Sequence, residues 1–136
     1  MSSKPAPPNL PKPTESELAI LRVLWERGPC TVREVMDALN ENREPPVAYT
    51  TALKLMQILF EKGLLQRDEA NRTHIYSPSV QAEKTKKQLV TDLMDRLFDG
   101  SALEMVTQAL GAKKVSASEM RKIRELINNL EGPTKL

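Results

Sequence analysis

The 136-residue chain has a single cysteine, Cys30, and a single histidine, His74. An intramolecular disulfide is therefore excluded, and too few thiolate and imidazole ligands remain for a structural zinc site. No run approaches the roughly 18 apolar residues of a membrane span, and the first residues show neither an apolar core nor a small-residue cleavage site. A cytoplasmic protein with no membrane partner is expected. Glycines number only five and form no phosphate-cradling loop; no paired-carboxylate motif is visible. His74 has neither a carboxylate pair nor a cysteine beside it in sequence, so a structural or phosphate-facing role outweighs general-base chemistry. Cys30 stands just before a helix start, where a thiol can be activated, yet a buried structural cysteine is the favoured reading. The chain reads as a non-enzyme without cofactor or metal.

Charge of one sign is also missing. The net charge is +2, with ten Lys and Arg against ten Asp and Glu in residues 1–80, and ten against eight in residues 81–136. Neither half is a basic tail, so charge alone names no partner.

What is present is punctuation. Five of the ten prolines fall in residues 1–13, which predicts a disordered, solvated leader. The pattern S/T-x-x-E then occurs at Thr14 to Glu17, Thr31 to Glu34, Ser101 to Glu104 and Ser116 to Glu119. Each is a capping box that marks a helix start. All five glycines follow apolar-periodic segments, where a left-handed residue ends a helix.

These marks predict a first helix over 15–27, with Leu18, Leu21 and Trp25 in one stripe and Ile20 and Leu24 beside it. A second follows over 32–40, burying Val32, Val35, Met36 and Leu39. After a turn at 40–46, a third runs over 49–62 with Ala52, Leu55, Met56, Leu59 and Phe60 inward. Past Gly63 the period drops to two, at residues 64–68 and again at 72–76, closed by Pro78: a hairpin with Arg72 and His74 on its second strand. Three helices followed by a two-stranded ribbon is the order of a winged helix-turn-helix domain. The fold class is thus mainly α with a small β-hairpin: a winged helix over 14–78, then a helical region over 79–136.

In the third helix the first turn offers Tyr49, Thr50 and Thr51, then Lys54, all hydroxylic or basic. Hydroxyls bond base edges or phosphates, and a lysine one turn on reaches a phosphate or a guanine; taken alone, Thr50 and Thr51 could equally just start the helix, but with a preceding helix and a following wing double-stranded DNA is the favoured partner. In the hairpin, Arg67, Arg72 and His74 are candidates for phosphate contacts.

Beyond residue 79 the pattern is helical. Residues 81–88 are almost wholly polar and read as an exposed helix start or hinge. Leu89, Leu93, Met94, Leu97 and Phe98, then Leu103 and Val106, then Met120, Ile123, Ile127 and Leu130 form apolar faces on three short helices. Such helices seldom make a core alone, so a homodimer through these residues is expected.

The ordered set Thr14-Glu15-Ser16-Glu17, Ile20-Leu21 with Leu24-Trp25, Tyr49-Thr50-Thr51, Glu61-Lys62-Gly63-Leu64-Leu65, Arg72 to Tyr76 and Pro78 resembles the penicillinase-repressor family (BlaI, MecI and CopY repressors) over about residues 14–131. The resemblance implies a homodimeric transcriptional repressor with winged helices on an inverted-repeat operator and C-terminal helices as the dimer interface. It also implies a sensor protease as partner in the β-lactam-responsive members, which are cut at an Asn-Phe bond. Gln108-Ala109 stands at that position here, and the paired C-terminal cysteines of copper-responsive members are absent after Cys30. Neither release chemistry is therefore expected, and the inducing signal is open. Ile58 also replaces a residue that is basic in many relatives. A competing reading, motivated by the even charge count of residues 1–80, is a helical interaction protein whose winged helix binds another protein; a discrete, salt-sensitive complex with promoter DNA discriminates the two.

Overall fold

The computed structural model describes residues 11–112 and 114–132. The expected leader therefore lies mostly outside the described residues. By its contacts the chain divides into two compact units, one up to Leu89 and one from Val90.

The first unit contains α1 (Glu15–Arg27), α2 (Val32–Leu39), a short 3-10 turn (Asn40–Asn42), α3 (Tyr49–Glu61), β1 (Leu65–Asp68) and β2 (Ile75–Pro78). Complete capping boxes open α1 and α2: Thr14 and Thr31 accept the amides of Glu17 and Glu34 at 3.2 and 3.1 Å, and the two carboxylates accept the cap amides at 3.0 and 2.8 Å. Gly28, at φ +86°, closes α1 by donating its amide to Leu24 O; an L side chain would be strained there. The apolar stripes of the three helices meet in one core, where Ile20, Leu21, Leu24, Val35, Ala52, Met56 and Leu59 are fully buried. The stripes expected from sequence are correct in phase, but Leu18 and Trp25 sit half-exposed at the edge of α1.

The hairpin departs from expectation. Its strands are antiparallel with Arg67 opposite Tyr76 and Leu65 opposite Pro78. The second strand begins at Ile75, so Arg72 and His74 belong to the connecting loop and not to a strand. The register is set by Tyr76, which is buried and pairs on its other side with Cys30: Cys30 N–H donates to Tyr76 O at 3.0 Å, and Tyr76 N–H to Cys30 O at 2.8 Å. The link between α1 and α2 thus serves as a third rung of the sheet.

The first unit extends past Pro78. Trp25 Nε1 donates to Val80 O at 2.9 Å, and Val80 and Thr85 are buried. Of the two readings of the polar stretch 81–88, the helix start is the one observed: α4 (Ala82–Leu97) begins within it.

From Val90 the described chain forms the rest of α4, then α5 (Ala102–Ala112) and α6 (Ala117–Glu131). Gly111, expected to end a helix, lies inside α5. Ser101 and Ser116 accept the amides of Glu104 and Glu119 at 3.1 and 3.0 Å, the first half of a capping box. At Ser101 the return bond cannot form, because its amide is donated to Phe98 O at 2.8 Å. Among the described residues from Val90 onward none is buried.

Candidate nucleic-acid interface

Two features set α3 apart. Its N-cap, Ala48, has no side chain to accept the first amides, and its first turn carries no acid, whereas α1, α2, α5 and α6 each carry a first-turn glutamate. The unsatisfied amides and the helix dipole leave partial positive charge at this end, which favours an approaching anion. The entry to α3 is fixed by Asn40, whose amide donates to Val47 O at 3.0 Å and whose Oδ1 accepts Val47 N–H at 2.7 Å.

With Ala52, Met56 and Leu59 turned into the core, the opposite side of α3 faces solvent. It presents Thr50, Lys54, Gln57 and Glu61 at i, i+4, i+7 and i+11, with Thr51 alongside, all exposed. Ile58, next to this row, is half-buried. Gln57 was not singled out from sequence, although its spacing from Thr50 and Lys54 marks the same face. Glu61 puts an acid at the far end, so the surface suited to a polyanion is confined to the first two turns.

Beside the start of α3 lies a cleft of about 250 Å³ lined by Thr31, Val32, Arg33, Tyr49, Leu53, Arg72, Thr73, His74 and Tyr76. It gathers Arg72 and His74 from the hairpin loop, Tyr49 from α3, and Arg33 from the first turn of α2. Arg33 escaped the sequence reading; its position two residues after the cap Thr31, between the buried Val32 and Val35, is the signal that turns it outward. No carboxylate lines the cleft. Among the described residues, Arg33, Arg72 and His74 have no ion-pair partner.

Arg67 is placed differently. Its Nε donates to Glu69 Oε2 at 2.6 Å, and its Cζ lies 4.0 Å from the centroid of the Phe60 ring. The Tyr76 hydroxyl and Glu69 both hold its pKa above the ordinary value. The guanidinium thus ties the hairpin to α3 instead of joining the cleft. Cys30 is buried, and burial, followed by the Glu34 carboxylate, pushes its thiol pKa up. That is the opposite of an activated thiol.

Among the described residues no group of three or more His, Cys, Asp or Glu is placed to hold a metal ion, and no helix is long and apolar enough to cross a membrane. Residues 13–129 match the family model described as penicillinase repressor. The chain belongs to that family. The penicillinase repressors are winged-helix, DNA-binding transcriptional repressors and not enzymes. Within the family, the transcriptional regulator BlaI of Mycobacterium tuberculosis is 29% identical over 116 residues, which are 85% of this chain and 82% of that protein. In fold the chain is similar to RosR of H. salinarum, with a TM-score of 0.52 and 17% identity over 93% of this chain and 100% of that one. The Bacillus licheniformis BlaI monomeric form, solved in complex with the blaP half-operator, matches with a TM-score of 0.47 and 21% identity over 55% of this chain and 89% of that one.

Proposed function

We propose that this penicillinase-family repressor acts as a homodimer on an inverted-repeat operator, with α3 in the major groove and the hairpin loop on the sugar-phosphate backbone. The observation that carries the reading is the solvent face of α3: Thr50, Thr51, Lys54 and Gln57 stand exposed on a helix whose start has neither cap nor acid. Thr50, Thr51 and Gln57 have the donors and acceptors that base edges require, and Lys54 reaches a guanine or a phosphate. Tyr49, Arg72 and His74 would hold the backbone, while Arg67 steadies the hairpin that carries them. The DNA-binding segment is assigned to 14–78 and dimerisation to 79–136.

The apolar side chains of the second unit support the homodimer. Leu93, Leu97, Leu103, Val106, Ile127 and Leu130 are 42%, 67%, 77%, 45%, 49% and 77% exposed, with Val90 and Leu126 also exposed, while Met94, Phe98, Met120 and Ile123 are half-covered. Helices with no buried residue need another surface to close a core, and a second copy supplies a matching one. Leu89, assigned to the same seam, is half-buried and also lines a groove of the first unit with Leu18, Arg22 and Trp25.

Release is assigned to a signal other than cleavage at Gln108-Ala109 or copper exchange, since that dipeptide lies within α5 and no cysteine follows Cys30. The decisive experiment is binding of the full chain to the promoter region upstream of its own gene. A discrete complex that weakens with salt and is not matched on scrambled DNA supports the reading; no complex at low salt overturns it.

A further inference from the structure

We infer that Asn40 is a positioning residue for sequence discrimination: its carboxamide, and neither a cap on α3 itself nor the loop 41–46, sets where α3 begins. The inference rests on the DNA-binding reading and adds to it a residue that governs specificity from behind the exposed row.

Four helices here start on a hydroxyl. Thr14, Thr31, Ser101 and Ser116 each accept the amide three residues on, which ties the first turn to the residue before the helix. For α3 that tie is missing, because Ala48 offers no side-chain acceptor. Yet its first turn carries Tyr49, Thr50 and Thr51, the residues whose placement matters most to a reader of base edges. Asn40 supplies the tie from outside. Its Nδ2 donates to Val47 O at 3.0 Å and its Oδ1 accepts Val47 N–H at 2.7 Å, one residue before the cap. Bonds to the peptide groups on both sides of one α-carbon fix the rotation of the entering chain as well as its position.

Asn40 is itself held. Its backbone N–H donates to Met36 O and Ala38 O at the end of α2, and α2 is anchored by the fully buried Val35. Val47 packs against the same core. All the residues from 41 to 46 have exposed side chains, so the loop they form is closed at its base by the Asn40–Val47 pair. A change within it is not relayed to α3. Asparagine suits this place because it carries a donor and an acceptor on one short stem; aspartate keeps the acceptor alone. A recognition geometry holds only within about 0.5 Å and 10–20°. Loss of the clamp therefore costs discrimination between sequences, while contacts to phosphate, which carry no sequence information, remain available.

The test compares wild type, Asn40→Ala, Asn40→Asp and a chain with Gly-Ser inserted between Arg43 and Glu44, all at full length and shown to be folded by circular dichroism. Affinity is measured for promoter and scrambled duplexes at two salt concentrations. Trp25→Phe, which removes the bond to Val80 O elsewhere in the same unit, is the control for lost stability alone. Asn40→Ala is expected to lower the promoter-to-scrambled affinity ratio about tenfold, the equivalent of one base contact. Its salt slope is expected to stay at the wild-type value, since no phosphate contact is removed. Asn40→Asp is expected to fall between the two, and the insertion and Trp25→Phe to keep the wild-type ratio. A wild-type ratio in Asn40→Ala, or an equal fall in the insertion or in Trp25→Phe, overturns the assignment and leaves DNA binding intact. Should Asn40→Ala fail to fold, a wild-type ratio in Asn40→Asp overturns it. Wild type that does not prefer the promoter over scrambled DNA overturns the DNA-binding reading instead.

Discussion

Lys62 Nζ lies 2.7 Å from Oε1 of Glu17, the same oxygen that accepts the Thr14 amide at 3.0 Å. A cap at the start of α1 is thereby joined to the end of α3, 45 residues away in sequence. The Glu17 side chain is 4% exposed and that of Lys62 is 26% exposed, so the carboxylate depends on both donors for what water would have supplied.

Removing the ammonium should therefore cost more than removing the charge at the other end. Lys62→Met is expected to lower unfolding free energy by about 1–3 kcal/mol, since the buried carboxylate loses a donor, and Glu17→Gln by less, since an amide oxygen still accepts from Thr14. Urea unfolding of both variants and the double variant measures the coupling. A loss below about 0.5 kcal/mol for Lys62→Met would show that the pair is surface decoration.

Why α1 to α3 were legible while the interface was only half so is a question of range. Capping boxes and 3.6-residue stripes are local; the 15–27 helix follows from both and the 49–61 helix from its stripe alone. The strand limits are not local. Arg72 to Tyr76 alternates as a strand would, but pairing starts only at Ile75, because Tyr76 is fixed between Arg67 and Cys30. A single-residue rung such as Cys30 has no period to detect. Arg33 and Gln57 were overlooked because an isolated polar residue on a helix is ordinarily solvated; only the folded neighbours, a basic cleft for one and the Thr50 and Lys54 row for the other, give them significance.

Cys30 offers a pH test. Burial raises its thiol pKa in the folded state, so the folded chain favours the protonated form more than the unfolded chain does. Its contribution to stability is complete below the ordinary thiol value of about 8.5 and declines as pH rises through the higher folded value. The stability advantage of wild type over Cys30→Ala is expected to shrink between pH 7 and about 9.5. An advantage that grows over that range would place the thiolate, not the thiol, in the fold.

For the second unit the sensitive positions are Leu93 and Ile127. An aspartate at either would set an unpaired charge in an apolar seam, costing several kcal/mol of association. Sedimentation is expected to show wild-type dimer and variant monomer at micromolar concentration, with operator affinity lost in parallel because the second half-site contact goes with the partner. A monomeric wild type contradicts the assignment.

Induction can be followed on the protein itself. Gln108 and Ala109 lie in α5, where backbone hydrogen bonding withholds the extended conformation that proteases engage. Neither cleavage at that bond nor loss of operator binding on adding Cu(I) is expected. Mass spectrometry of the chain recovered from induced cells checks the first, and a binding assay titrated with Cu(I) the second; a fragment ending at Gln108 refutes the assignment.

Base contacts and phosphate contacts differ in what they lose. Thr51→Ala and Gln57→Ala should each reduce discrimination between operator and scrambled DNA, by about 1–3 kcal/mol where the contact is to a base edge. Arg72→Ala should instead weaken both duplexes alike and lower the slope of log K against log salt by about one unit, since one phosphate contact is gone. The reason is geometric: the exposed row on α3 meets hydrogen-bonding partners only on the right sequence, whereas the loop guanidinium meets a phosphate on every duplex. Fluorescence anisotropy on both DNAs at two or more salt concentrations separates the outcomes. If Thr51→Ala weakens the two duplexes equally, or Arg72→Ala leaves the salt slope unchanged, then α3 does not read the major groove while the hairpin loop holds the backbone.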